Sequence, residues 1–200
     1  MMPITETVKH LIIINVLIFL CMLLSIYPQA LEVFGLYGFQ DPNFRWFQLF
    51  TNMFVNGNIL QILFNMYALY SLGSTLEHFW GQHKFMFFYI SCGIGAGLIS
   101  NVINQVFQIN PISFVYGSTG AIFGLLIAFG FMFPEAGLMF FFIPYPIKAK
   151  YFIPGIIALD LVFSFGLGPI IHGDGRFEHI GGALVGFIMM SFWKKNQYKN

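Results

Sequence analysis

Apolar runs of about the length needed to cross a bilayer recur six times along this chain, and that feature constrains its fold more than any other. A span needs about 20 largely apolar residues. Stretches of that kind lie at roughly 10–27, 57–76, 84–105, 117–134, 150–168 and 177–194. Only 8% of the residues are charged, against about 25% in soluble domains, so no water-soluble surface can cover these runs. In lipid every backbone N–H and C=O must be paired within its own segment, so each run is expected to be an α-helix. The expected fold class is an all-α polytopic membrane protein, a six-helix bundle forming one domain over 1–200. The first run lacks a small-x-small cleavage site and is followed by further spans, which marks it as a retained span rather than a signal peptide.

Orientation follows from the basic residues. With the N-terminus inside, the cytoplasmic segments hold Lys9, Lys84, Lys148, Lys150, Lys194, Lys195 and Lys199, and the outer ones hold only Arg45 and Arg176. Such a bias predicts both termini in the cytoplasm. Trp80 and Trp193 then fall at the inner interface and Trp46 at the outer one. The long connection 28–56 reads as a structured interfacial loop in the outer leaflet. Segment 140–151, "FFFIPYPIKAKY", reads as an interfacial cytoplasmic loop in which Pro144 and Pro146 break helix and the lysines face headgroups. A net charge of +1 without a basic cluster excludes nucleic acid as a partner. Cys21 and Cys92 lie in apolar runs without metal-ligand or disulfide spacing and are expected to be buried, inert thiols.

Under this topology the fourth and sixth spans both begin at the outer face. The first turn of one holds Ser118 and Thr119, and the first turns of the other hold His179, so a hydroxyl and an imidazole stand at one depth as candidate nucleophile and base. Gly120 and Gly124 form one small-xxx-small face, and Gly182 and Gly186 form another. Such faces let two helix backbones approach closely, which a short hydroxyl side chain needs to reach an imidazole. A helix N-terminus at Gly117 also supplies backbone N–H groups for an oxyanion. In the second span, Gln61 and Asn65 are four residues apart and share a helix face, so both amides point at a common polar site. Asp160, the acid midway along the fifth span, is expected to be a neutral or hydrogen-bonded acid facing the bundle. Glu77 is expected to cap or brace the loop after the second span. His172, Asp174, Arg176 and Glu178 read as a solvated outer loop, because their spacing fits no standard metal site.

The order of these motifs resembles the rhomboid family of intramembrane serine proteases. An aromatic–Gln pair (Phe47, Gln48) precedes "ILFNMYALYSLG", then "EHFWG", "GSTGAIFG" and "HIGGALVG". The resemblance implies a rhomboid-like six-helix core of the compact bacterial type. It implies a hydroxyl–His dyad opening to the extracytoplasmic face of a cell membrane, the bacterial inner membrane, and cleavage of transmembrane segments of membrane-protein substrates without metal or cofactor.

Within that pattern, anchoring "GAIFG" on the family's Gly-x-Ser-Gly motif puts Thr119, not Ser118, at the nucleophile position, with Ser118 as the alternative. His179 matches the base and Asn65 the oxyanion donor. Gln61 stands where the family usually has His, and Asn56-Gly57 where it often has His-Gly. The extra methyl of threonine stiffens χ1 and occupies space the substrate carbonyl must enter, so the expected enzyme is slow or silent, with Gln61 as a substitute N–H donor. The rival reading is a non-catalytic protein that uses the same fold to hold transmembrane segments of client proteins. A transporter is disfavoured by the scarcity of ionisable groups in the spans and the absence of an internal repeat.

Overall fold

The computed structural model describes residues 3–24, 29–107, 114–140, 143–166 and 176–197. Within them the chain is mostly helical. The long helices are α1 (Glu6–Leu23), α4 (Ile59–Trp80), α5 (Gln82–Phe107), α6 (Thr119–Met132), α7 (Ala149–Gly166) and α8 (Arg176–Gln197). The connection after α1 carries two short helices, α2 (Ala30–Phe34) and α3 (Gln48–Thr51). Three helices among the described residues, Glu6–Leu23, Ile59–Trp80 and Gln82–Val106, are long and apolar enough to cross a membrane. Apolar side chains point outward along the bundle: Leu17, Leu63, Phe87, Val106, Val162 and Phe192 are each more than half exposed. A water-soluble monomer does not present so much contiguous apolar surface.

Helix α6 is the axis of the bundle. It is apolar all round, and its residues from Gly120 to Leu126, with Ala128 and Phe129, are buried. A helix of that kind belongs inside a larger apolar body rather than at its edge. Its 14 residues extend only about 21 Å, so its N-terminal turn lies within the bundle rather than beyond it. Around it, Val8, Leu11, Leu69, Phe85, Phe88, Tyr89 and Leu125 form one core that joins α1, α4, α5 and α6. The three glycines of α5 let different neighbours close on it. A Cβ would stand 2.6 Å from Met53 at Gly93, 2.6 Å from Val185 at Gly95 and 2.7 Å from Leu36 at Gly97.

Glu77 does not brace the loop that follows α4. Its buried carboxylate accepts the backbone N–H groups of Thr7 and Val8, each at 3.0 Å, and the hydroxyl of Thr5. The first N–H groups of a helix have no intrahelical acceptor, and an anion is the best partner for them, so Glu77 caps α1 from across the bundle. Cys21 is only half-buried, on α1, whereas Cys92 is buried in α5.

Two short antiparallel ladders complete the fold. Strand β1 (Leu36–Tyr37) pairs with β2 (Phe114–Val115), Leu36 opposite Val115, and so ties the first connection to the segment entering α6. Strands β3 (Gly137–Phe140) and β4 (Ile143–Lys148) form a hairpin where the sequence suggested an irregular loop. Proline is disfavoured in helix interiors, although Pro154 lies inside α7, and it is tolerated in a two-stranded ladder, where each strand keeps a free edge. The lysines of this segment pair with one acid: Lys148 Nζ and Lys150 Nζ lie 2.8 and 2.6 Å from the Glu135 carboxylate. These two ammonium groups, donating hydrogen bonds, hold the Glu135 carboxyl down to about 2.

Candidate functional site

The site is built on the crossing of α6 and α8. A Cβ on Gly182 would run into the Gly120 carbonyl, and one on Gly186 would stand 2.9 Å from Gly124 Cα. The two backbones are therefore in contact at both glycine faces, which brings the N-terminal turns of the two helices side by side. Thr119 opens α6 and is partly exposed. The turn before it depends on Gly117, whose φ of +121° suits glycine and whose N–H donates to the Asn52 carbonyl at 2.9 Å.

His179 sits in the first turns of α8. Its ring stacks on Phe123, with centroids 4.7 Å apart and planes at 14°. Phe123 lies one turn below Thr119 on the same face of α6, so the imidazole is held one turn from the hydroxyl. His179 Nδ1 lies 2.8 Å from Asp160 Oδ1 on α7, with both side chains largely buried. The Thr119 hydroxyl is not turned toward the ring. Among the described residues its hydrogen-bond partner is Asn65, with Oγ1 3.2 Å from Nδ2 and 3.5 Å from Oδ1.

Asn65 is itself fixed by a buried line of amides. Its Nδ2 donates to Asn56 Oδ1 at 3.1 Å, Asn56 Nδ2 donates to Asn15 Oδ1 at 3.0 Å, and Asn15 Nδ2 donates to the Leu11 carbonyl at 2.9 Å. Gln61 shares the face of Asn65 but is engaged differently. Its Nε2 donates to the Tyr116 carbonyl at 3.2 Å, and its Oε1 accepts the Gly57 N–H at 2.9 Å. A Cβ on Gly117 would stand 2.5 Å from that Nε2, so the amide packs on the turn that presents Thr119.

Ser118, the alternative nucleophile, is fully buried. Its hydroxyl lies beside that of Tyr89 on α5, and neither has another partner among the described residues. It faces away from the cavity onto which Thr119 opens. Glu178 is not part of a solvated loop: it is buried in the first turn of α8, and its side chain packs against Gly120 at the start of α6. His172 and Asp174 and the side chain of Arg176 lie outside the described residues.

A cavity of about 200 Å³ opens beside Thr119 and Asn65 and continues between α4, α6 and α7, lined by Tyr67, Ser71, Phe123, Phe152 and Ile156 among others. Its α4 wall includes the π-helical turn Leu69–Gly73, a local irregularity of the kind often found at functional positions. A hydroxyl and an amide thus stand at the edge of an apolar cleft, with an imidazole and a carboxylate close behind. Sequence reasoning did not find the engagement of Asp160 with His179, the amides of Asn15 and Asn56, or the ring contact of Phe123. Asp160 carried a signal, as the one acid in mid-span, without an address.

Comparison with known proteins places the chain in a family. The rhomboid domain profile matches residues 43–195. The chain is 27% identical over 146 residues to rhomboid protease GluP of Bacillus subtilis, covering 72% of this chain and 25% of that protein. It is 29% identical over 158 residues to the human mitochondrial presenilin-associated rhomboid-like protein, covering 76% and 39%. It is 29% identical over 142 residues to RHOMBOID-like protein 1 of Arabidopsis thaliana, covering 71% and 33%. The chain thus spans well under half the length of these relatives. A profile match over most of the chain, on a helical bundle with a hydroxyl and an imidazole brought together by crossed glycine faces, assigns the chain to the rhomboid family.

Proposed function

We propose that this chain is an intramembrane endopeptidase of the rhomboid type, slowed by its departures from the family pattern, that cuts transmembrane segments of other membrane proteins. One observation carries the reading: Thr119 and Asn65 stand hydrogen-bonded at the wall of an apolar cavity, and the ring of His179 stacks on Phe123, another residue of that wall. In the reaction, Thr119 Oγ1 attacks the scissile carbonyl carbon while its proton passes to His179. The oxyanion is met by the amide of Asn65, by backbone N–H groups at the start of α6 and by Gln61. The C–N bond then breaks, and His179 returns the proton to the leaving amine. A water molecule deprotonated by His179 hydrolyses the resulting ester, restoring the hydroxyl. The basic-residue bias supports six spans with both termini cytoplasmic and the site toward the extracytoplasmic face of a cell membrane. Lipid and transmembrane segments are the partners, and no cofactor takes part.

A second reading is favoured by one feature of the same site. The Thr119 hydroxyl is bonded to Asn65, and the Gln61 amide is committed to Tyr116 and Gly57. A site so tied would hold a transmembrane segment in the cavity without cutting it. The test uses purified full chain in detergent with a fluorogenic transmembrane substrate, comparing wild type, Thr119→Ser and Thr119→Ser with Gln61→His. Cleavage by any of them that is lost on His179→Ala supports the proteolytic reading. Silence in all three, with the substrate still bound, supports the second.

A further inference from the structure

We propose that Asp160 is a positioning residue for His179: its carboxylate fixes which ring nitrogen carries the proton and which edge of the imidazole is offered to a hydroxyl. The pairing rests on geometry. Asp160 Oδ1 is 2.8 Å from His179 Nδ1, the two side chains are 14% and 19% exposed, and they come from different helices, α7 and α8. An ionised carboxylate only accepts hydrogen bonds. Facing Nδ1, it selects the tautomer with the proton on Nδ1 and leaves the Nε2 lone pair as the basic site. The stack on Phe123 holds the plane of the ring, and the Asp160 bond removes the remaining freedom, a flip about the ring axis. The two contacts together define the imidazole completely.

Two further observations set Asp160 apart from a general structural tie. An acid in the middle of an apolar helix is costly and is kept where it has a defined partner. The other acid near the ring, Glu178, packs against Gly120 at the start of α6. Of the two acids, Asp160 is the one whose carboxylate faces Nδ1 of the imidazole. A hydroxyl, an imidazole and a buried carboxylate in that order are the parts of an acyl-transfer triad, in which the acid holds the tautomer without itself taking the proton. The catalytic consequence rests on the proteolytic reading above; the tautomer assignment does not.

The test separates the two. Full chain carrying ¹⁵N-labelled histidine is observed by NMR in detergent at mildly alkaline pH, with His179 assigned by loss of its signals in His179→Gln. In wild type the signals should report a protonated Nδ1 and an unprotonated Nε2. In Asp160→Asn, whose amide can donate to Nδ1, they should shift toward the opposite tautomer, and Asp160→Glu should restore the wild-type pattern in part. A wild-type ring protonated on Nε2, or one indifferent to Asp160→Asn, overturns the proposal, and the wild-type spectrum decides even if a variant fails to fold. In parallel, Asp160→Asn in whichever background cleaves substrate should lower kcat by about 10²–10⁴-fold, the usual contribution of a positioned acid–base group, with KM nearly unchanged. An unchanged kcat overturns it. If neither wild type nor Thr119→Ser cleaves while the tautomer still follows Asp160, the pairing stands and the proteolytic reading falls.

Discussion

Replacing Gly182 by alanine should be among the most damaging single changes of one methyl group in the whole chain. The added Cβ would overlap the Gly120 carbonyl and crowd its Cα, both of which are backbone atoms of the facing helix. No side chain can rotate away, so α6 and α8 must separate along their contact. Gly186→Ala is milder: the new Cβ would stand 2.9 Å from Gly124 Cα and 3.0 Å from its oxygen, a shortfall of a few tenths of an ångström. Gly155→Ala, on α7, meets nothing within 4 Å. Overpacking typically costs about 1–3 kcal/mol, and the backbone overlap puts Gly182→Ala at or above about 3 kcal/mol. Gly186→Ala should cost about 1 kcal/mol, whereas Gly155→Ala should gain about 0.5–1 kcal/mol from helix propensity. For a chain of this size about 1 kcal/mol corresponds to roughly 2–4 °C in Tm. Thermal unfolding of the three variants in one detergent, followed by tryptophan fluorescence, reads the order directly. The same separation would carry His179 from Thr119 by about 1 Å, enough to cost on the order of a hundredfold in rate. If Gly182→Ala melts with wild type and Gly155→Ala, the two helices do not touch as described and the reasoning fails.

Three other perturbations are as direct. Asn56→Ala removes the middle of the amide line, leaving Asn15 and Asn65 each short of a partner; it should cost about 1–3 kcal/mol in thermal stability and lower any cleavage rate by loosening Asn65. Glu77→Ala leaves the Thr7 and Val8 N–H groups without their acceptor, so hydrogen exchange at the start of α1 should accelerate, with a stability loss of about 1–3 kcal/mol and little change in Asn65 or Thr119 resonances. The Glu135 carboxyl is held to about 2 from an ordinary 4.5, so its contribution to the β3–β4 hairpin is complete above about 4.5 and is lost as the pH falls through about 2. Hairpin amide exchange should rise over that window in wild type but not in Glu135→Gln, and added salt should shrink the difference because the pairs are exposed.

Much of the architecture was legible because lipid simplifies the problem. Apolar length and backbone self-satisfaction set the helices, and the GxxxG spacing at 120 and 182 announced a close crossing before any coordinate was known. What escaped was whatever depends on partners distant in the chain. Glu77 looked local because it stands near the end of its span, yet its hydrogen-bonding partners are Thr5, Thr7 and Val8. Glu178 looked solvated because it follows a polar stretch, but the α6–α8 contact draws it under Gly120. Asp160 had no visible address, since the residue it meets belongs to the next helix rather than to its own. The Thr119 hydroxyl was expected to face the imidazole, and the competition it loses is with Asn65, an amide whose orientation is set two residues further along a buried line. The hairpin at 137–148 was missed because proline argues against helix without specifying what replaces it.

That buried line has a consequence for how the family's diversity can be built. The shared rhomboid portion begins at residue 43, so α1 lies wholly outside it, yet Asn15 on α1 is three hydrogen bonds from Thr119. The first helix thus supports the site through Asn15. Transplanting it from another member would exchange one of the supports under Asn65 while leaving every shared motif intact. Chimeras that keep the matched core but swap this helix should therefore differ at the site itself, and restoring an asparagine at the position of Asn15 should bring them back.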